Sequence, residues 1–185
     1  MKKLLVILLV ITLQACSSSK STHFTTKIGD KADLYKITDF EVVVANNAKI
    51  GSWRKLDDKE KEENIQLLTN NIKKMSKQEA DGVLIGAKPA KLEISLNYIK
   101  MASKKSQVLV QKQSILKGHL KLIDNNTKEI ISETDVTALQ GSRKRGNVGS
   151  EIAMVSNIVA VSQPDRTKAL ALIFAKEVRK WLIQK

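Results

Sequence analysis

Few residues in this chain of 185 could do nucleophilic, acid–base or metal chemistry. Its two histidines are His23, in a stretch of Ser, Thr and Lys, and His119, between Lys117 and Lys121. Neither histidine has a second ligand at metal-binding spacing, and Cys16 is the single cysteine, so no zinc site is expected. His119 is expected to be a solvated residue of a strand.

The acidic residues cluster mainly at one place. They are Asp57, Asp58, Glu60, Glu62 and Glu63, with lysines between them. This pattern is typical of the start of a helix, because the helix dipole favours negative charge there. The sequence also contains no G-x-S-x-G, H-E-x-x-H or Gly-Lys-Ser/Thr phosphate motif. We therefore predict a protein without enzymatic activity, metal or cofactor.

The most unusual segment is residues 141–150, which read GSRKRGNVGS. Arg143, Lys144 and Arg145 are consecutive cations between glycines, which allow backbone N–H groups to turn toward an anion. Arginine also binds phosphate bidentately. Two interpretations stay open. The segment contacts an anionic lipid, a glycan or an acidic partner protein, or it is a solvated loop.

An apolar stretch, residues 152–161, follows this basic loop. It is too short to cross a bilayer, which needs about 20 residues. One interpretation is a core strand or a buried helix. The other is a surface in which Met154, Val155, Ile158 and Val159 contact an acyl boundary or a partner groove.

The first sixteen residues have the layout of a secretory signal. Lys2 and Lys3 precede an apolar run from Leu4 to Leu13, which is too short to span a membrane. Residues 17–26 are nearly all Ser, Thr and Lys, too polar to pack, and are therefore expected to form a tether.

Leu13-Gln14-Ala15-Cys16 resembles the lipobox of bacterial lipoproteins. The resemblance implies cleavage before Cys16 and acyl chains, such as palmitate, on its sulfur side and its amino group. It divides the chain into a signal peptide (1–15), a lipidated polar tether (16–33) and a single periplasmic domain (34–185). Ser17, in place of an aspartate after the cysteine, favours the outer membrane.

The charge balance is strongly basic, with 32 Lys and Arg against 19 Asp and Glu and a net charge of +13. Nucleic acid is not an expected partner, since export removes such targets and an aromatic fraction of 4% leaves few residues for stacking on bases. The charge favours anionic membranes or glycans.

Hydrophobic periodicity predicts alternating strands and helices. Strands are expected over 38–44, closed by Asn46-Asn47, and over 92–98, 116–122 and 130–139, with a hairpin turn at 124–128. One helix is expected to start at Asp57, to bury Ile65, Leu68, Ile72 and Met75, and to end before Gly82. A second opens around Pro164 and buries Leu170, Phe174, Val178, Trp181 and Leu182. These elements predict an α+β fold, a two-layer sandwich of an antiparallel sheet of about four strands with two amphipathic helices.

Three functions fit this organisation. The predicted one is a membrane-anchored accessory module that binds an envelope assembly or transport complex, or an anionic envelope component. An alternative is a carrier of a small apolar or lipid ligand, with residues 152–161 lining its pocket. The third is an enzyme on envelope polymers, which requires a cleft that gathers carboxylates from distant elements.

Overall fold

The structure is a computed structural model that describes residues 28–51, 56–102, 113–141 and 163–184. A 3-10 turn, Gly29–Leu34, leads into six longer elements. They are β1 (Tyr35–Ile50), α1 (Asp58–Ala80), β2 (Lys88–Lys100), β3 (Ser114–Asp124), β4 (Ile130–Gln140) and α2 (Gln163–Leu182). The predicted order of strand, helix, three strands and helix is confirmed.

The four strands form one sheet in the order β1-β2-β3-β4. The strands β2, β3 and β4 are antiparallel neighbours, as predicted. The prediction needs one correction, because β1 pairs with β2 in parallel. Helix α1 carries the chain back to the end of the sheet where β1 began, so β2 runs in the same direction as β1.

The hydrophobic core lies between one face of the sheet and the two helices, which confirms the α+β two-layer sandwich. Alternate residues of β2 and β3 point to this face. They are Ala90, Leu92, Ile94 and Leu96 in β2, and Leu116, Gly118, Leu120 and Leu122 in β3. The helices add Leu68, Ile72 and Met75 from α1, and Leu170, Phe174, Val178, Trp181 and Leu182 from α2. The helical spacing in the sequence predicted these buried stripes correctly except at Ile65, which is only partly buried because it lies toward the exposed start of α1.

Helix α1 begins where its sequence signal predicted. Asp57 is the N-cap residue, and its Oδ1 accepts a hydrogen bond from the backbone N–H of Glu60 at 2.7 Å. The helix ends at Ala80, and Gly82 then adopts φ 68°, a left-handed conformation that glycine tolerates without strain.

Replacing Asp57 with alanine is expected to destabilise the domain by about 1 kcal/mol, because the amide of Glu60 loses its acceptor. Urea unfolding followed by circular dichroism measures this change. Asp57→Asn keeps a capping oxygen and is the matched control. Equal destabilisation by both variants would contradict a capping role.

Two boundaries of the first strand region differ from the prediction. Strand β1 continues through Asn46-Asn47 to Ile50, because Lys49 and Ile50 pair with β2 after a register shift. The packed chain also begins before residue 34, since Ile28 is 2% exposed and Ala32 6% exposed in the core. Residues 28–33 therefore pack with the domain rather than extend the tether.

Strand β2 contains an irregularity that alternation alone did not predict. The register with β3 shifts between Leu96 and Tyr98, so Ile99 takes the fully buried position. Tyr98 is half-buried instead, and Lys117 Nζ lies 5.8 Å from its ring centroid.

The topology gives the domain two ends. At the proximal end, β1 and β2 begin, β3 turns into β4 and both helices finish. Arg179 Nη1 donates to the carbonyl of Glu79 there at 2.7 Å, and the amide of Asn125 donates to the carbonyl of Pro89 at 3.0 Å. At the distal end, β1, β2 and β4 finish and both helices begin. The 13 residues of β2 separate the two ends by about 40 Å.

Candidate functional site

The residues singled out for function in the sequence lie outside the described ranges. They are Cys16, Arg143, Lys144, Arg145, Met154, Val155, Ile158 and Val159. Their roles stay predictions. The described residues that border these segments nevertheless have defined positions, and these positions locate where each segment leaves and rejoins the domain.

The distal end is closed by contacts between strand ends and α2. The amide of Gly51 donates to the carbonyl of Ile99 at 2.8 Å, and the amide of Ala102 donates to Ser114 Oγ at 3.1 Å. Arg166, in the first turn of α2, donates from Nη1 to the carbonyl of Ala102 at 3.0 Å. The described termini that border residues 52–55, 103–112 and 142–162 therefore meet at this end.

The face of the sheet opposite the described helices carries many charged side chains, and some of these are paired. Lys91 in β2 forms an ion pair with Glu41 of β1, and its Nζ also lies 3.6 Å from Glu93 Oε2. The hydrogen bond to Glu41 raises the pKa of Lys91. This lysine therefore remains charged and lies between a carboxylate of the adjacent strand β1 and one of its own strand.

His119 lies in the same outer face, between two carboxylates of β4. Its Nδ1 lies 2.9 Å from Asp135 Oδ1, and its Nε2 lies 3.2 Å from Glu133 Oε2. A carboxylate only accepts hydrogen bonds, so both contacts are satisfied together only when both ring nitrogens carry protons. The ring of His119 therefore bridges two acidic side chains of β4.

These pairings determine what the outer face can do chemically. Both nitrogens of His119 are in contact with carboxylates of β4, so a substrate would have to displace one of these contacts to reach the ring. No group of three or more His, Cys, Asp or Glu able to hold a metal ion occurs within the described ranges. A sheet face that holds positive and negative side chains at fixed positions can recognise another surface through complementary charges.

Sequence reasoning missed the partners of His119, because it placed this residue only between lysines of its own strand. The residues that identify these partners are in the other strand of the hairpin, β4. Glu133 and Asp135 alternate on the second arm, on the same face as His119, and Asp135 lies directly opposite it.

The layer between α2 and the sheet is filled at its centre. Phe174 is fully buried, and a Cβ added at Gly118 would lie 3.0 Å from its Cζ and 3.3 Å from Leu96 Cδ2. Side chains therefore occupy the space in which a carrier would hold an apolar ligand between α2 and β3.

The proximal end has its own polar corner, at the turn between β3 and β4. Backbone N–H groups of Thr127 and Asn126 donate to Asp124 Oδ1 at 3.1 and 2.7 Å. These bonds, with smaller contributions from Tyr35 and Lys88, lower the pKa of Asp124. Burial, followed by the hydrogen bond to Asp124, raises the pKa of Tyr35. The corner therefore joins the start of β1 to the hairpin turn.

This corner predicts an acid-dependent loss of stability. Since the pKa of Asp124 is lower in the folded state than its ordinary value of 3.8, its ionised form stabilises the fold above that pH. The contribution is lost as the pH falls through the folded-state pKa. We expect Asp124→Asn to lower the urea midpoint at pH 7, and this difference from the original protein to shrink steadily below pH 3.8.

Asp81→Asn, which removes an exposed carboxylate after α1, is the matched control for Asp124→Asn. A midpoint difference for Asp124→Asn that is the same at neutral and strongly acidic pH would show that the charge of Asp124 contributes nothing.

None of the helices within the described ranges is both long and apolar enough to span a bilayer.

Comparison with known proteins gives only distant likenesses. No protein-family model matches the chain, and no curated protein matches it. Among solved structures, the PelC dodecamer from Paraburkholderia phytofirmans aligns with a TM-score of 0.40 and 10% identity, over 89% of this chain and 96% of that chain. A candidate lipoprotein from Caulobacter crescentus CB15 aligns with a TM-score of 0.33 and 17% identity, over 78% of this chain and 87% of that chain. At these scores the likenesses carry no argument about function.

Proposed function

We propose that the chain is a lipid-anchored protein of the bacterial cell envelope, held in the outer membrane through Cys16 and facing the periplasm. Its domain works as a non-enzymatic binding module for an anionic envelope component. The lipobox at residues 13–16 supports the anchor, and the charge-paired outer face supports recognition rather than catalysis.

One observation carries the proposal: the anchor side and the basic loop join the domain at opposite ends. The described chain starts at Ile28, next to the start of β1, at the proximal end. Gly141 and Gln163, which border the basic loop and the apolar stretch after it, lie at the distal end. Since β2 separates these ends by about 40 Å, the loop joins the domain on the side away from the anchor.

The composition of the three segments whose bordering residues lie at the distal end supports an anionic partner. Residues 52–55, 103–112 and 142–162 together contain eight Lys and Arg and one acidic residue, Glu151. The termini that border all three segments meet at the distal end. Cations brought to one end of a domain raise the local concentration of anions there. We infer that Arg143, Lys144 and Arg145 bind phosphate or other anionic groups.

A charge-neutralised variant tests this binding. We expect Arg143→Gln, Lys144→Gln and Arg145→Gln together to weaken binding of the full chain to phosphatidylglycerol vesicles by about 100-fold, since each cation contributes about 1 kcal/mol at an anionic surface. The chain carries Cys16→Ser in this assay, so that acyl chains do not dominate binding. Cosedimentation measures the change, with phosphatidylcholine vesicles as the baseline.

The matched control removes the same charge elsewhere. Lys73→Gln, Lys74→Gln and Lys77→Gln neutralise three exposed lysines of α1. If both triple variants weaken binding equally, net charge alone accounts for it and the loop has no specific role. Unchanged binding by the loop variant would refute the anionic-partner proposal. Crosslinking of the lipidated protein in cells, followed by mass spectrometry of its partners, then identifies the component.

A further inference from the structure

The exposed hydrophobic side chains of the described ranges are not evenly distributed. The four most exposed large ones are Leu34 at 49%, Ile85 at 78%, Ile130 at 51% and Ile183 at 55%. All four lie at the proximal end: before β1, between α1 and β2, at the start of β4 and after α2. The less exposed ones, such as Val43, Leu67 and Leu139, lie along the elements or toward the distal end. Scattered exposed hydrophobic residues need no explanation, but their concentration at one end does.

Leu34 and Ile85 come from backbone segments that touch each other. The amide of Gly86 donates to the carbonyl of Tyr35 at 2.8 Å. A Cβ at Gly86 would lie only 2.1 Å from the carbonyl carbon of Leu34, so only glycine allows the two backbones to approach this closely. Lys88, whose Nζ lies 5.8 Å from the centroid of the Tyr35 ring, adds a cation beside this seam. The contact holds two exposed apolar residues on adjoining segments.

The chain outside the structure leaves from this same end. Ile28 is separated from Tyr35 by a single 3-10 turn, which spans about 12 Å. Eleven residues, 17–27, lie between Cys16 and Ile28, so the domain stays within about 40 Å of the anchored cysteine even at full extension. The domain itself is about 40 Å long. When Cys16 and Ile28 are closer together than the fully extended tether allows, the proximal end therefore reaches the bilayer before the distal end does.

Resting on the proposed lipid anchor, we propose that the proximal end docks on the bilayer that holds Cys16, with Ile85 and Leu34 entering the boundary between headgroups and acyl chains. Apolar side chains of peripheral proteins enter this boundary by about 5–10 Å. The tether keeps the domain at a high effective concentration near the surface, so a small apolar contact is sufficient for docking. Docking fixes the orientation of the domain, so that the end bordering the basic segments lies away from the anchoring membrane.

A single thiol placed at the proximal end tests the docking. Because acylation consumes the thiol of Cys16, Ile85→Cys in the lipidated full chain has one reactive sulfur. An environment-sensitive fluorophore on this sulfur is followed in vesicles of phosphatidylethanolamine and phosphatidylcholine that contain nitroxide-labelled lipid but none of the anionic lipid that the basic loop is proposed to bind. We expect blue-shifted emission and quenching at least about threefold stronger than at a control position about 30 Å away.

Leu139→Cys is that control, because Leu139 is an exposed hydrophobic residue, 41% accessible, near the distal end of β4. Equal quenching at both positions would mean that the domain lies flat on the membrane. Absence of quenching at position 85 would mean that it stands clear of the membrane. Either result overturns the docking while leaving the anchor intact. Two labelled sulfurs per chain would instead show that Cys16 is unacylated, and the proposed function then fails first.

Discussion

Replacing Cys16 with serine is expected to transfer the protein from the membrane to the soluble fraction of the envelope. A serine oxygen cannot form the thioether that the lipobox resemblance implies, so the acyl chains are lost. Each buried methylene contributes about 0.8 kcal/mol to membrane binding, and one acyl chain alone binds only reversibly. Loss of all chains should therefore lower the membrane-bound fraction at least about 100-fold. The apolar residues at the proximal end are too few to replace them.

Fractionation of cells followed by immunoblotting measures this redistribution, and mass spectrometry of the N-terminal peptide checks the modification directly. Ser17→Ala is the matched control, because it leaves the cysteine in place and should keep the protein on the membrane. If the original protein begins at Met1 with a free thiol, or if Cys16→Ser remains fully membrane-bound, the anchor is refuted.

Truncating Phe174 to alanine is expected to destabilise the domain by about 4 kcal/mol. The ring is fully buried between α2 and the sheet, directly over Gly118. Its removal loses apolar burial and leaves a cavity, and such changes cost about 3–5 kcal/mol. The free energies of unfolding of domains are about 5–15 kcal/mol, so the variant would lose a large fraction of its stability. Urea or thermal unfolding measures the loss.

The contact with Gly118 allows a sharper test. Gly118→Ala is expected to cost about 1–3 kcal/mol, because its Cβ would crowd Phe174 Cζ at 3.0 Å. Adding Phe174→Leu to Gly118→Ala should cost less than the sum of the two single changes, since residues in contact are not additive. Additive effects would mean that the ring does not pack on Gly118. Ile85→Ala, at an exposed position, should change stability by less than about 0.5 kcal/mol.

Local patterns predicted the helices and strands well. The D-x-x-E signal placed the start of α1 correctly because capping involves residues three apart in the chain. Alternation over 116–122 identified β3 because its even-numbered residues all face one core. The same reasoning failed at Asn46-Asn47, where pairing with β2 carries β1 past a sequence that favours turns.

The outer face of the sheet shows a second limit of local reasoning. The pairing of His119 with Asp135 depends on the hairpin register, and that register shifts between Leu122 and Ile123. Counting equal numbers of residues back from both ends of the predicted turn finds the face of β4 that lies beside His119, but it does not find the residue that pairs with His119. The pairing of Glu41 with Lys91 joins residues fifty positions apart and depends on the parallel alignment of β1 with β2.

Neighbouring residues were enough to predict the secondary structure elements and most of their buried stripes, and the acyl anchor at Cys16 stays a prediction from the same kind of local pattern. Contacts between distant parts of the chain were needed to show that β1 is parallel to β2, that Ile28 and Ala32 join the core, and that exposed hydrophobic residues gather at the proximal end while the borders of the basic segments gather at the distal end. The physical reason is that strand direction and register are set by burial summed over contacts between distant parts of the chain, which no local pattern encodes.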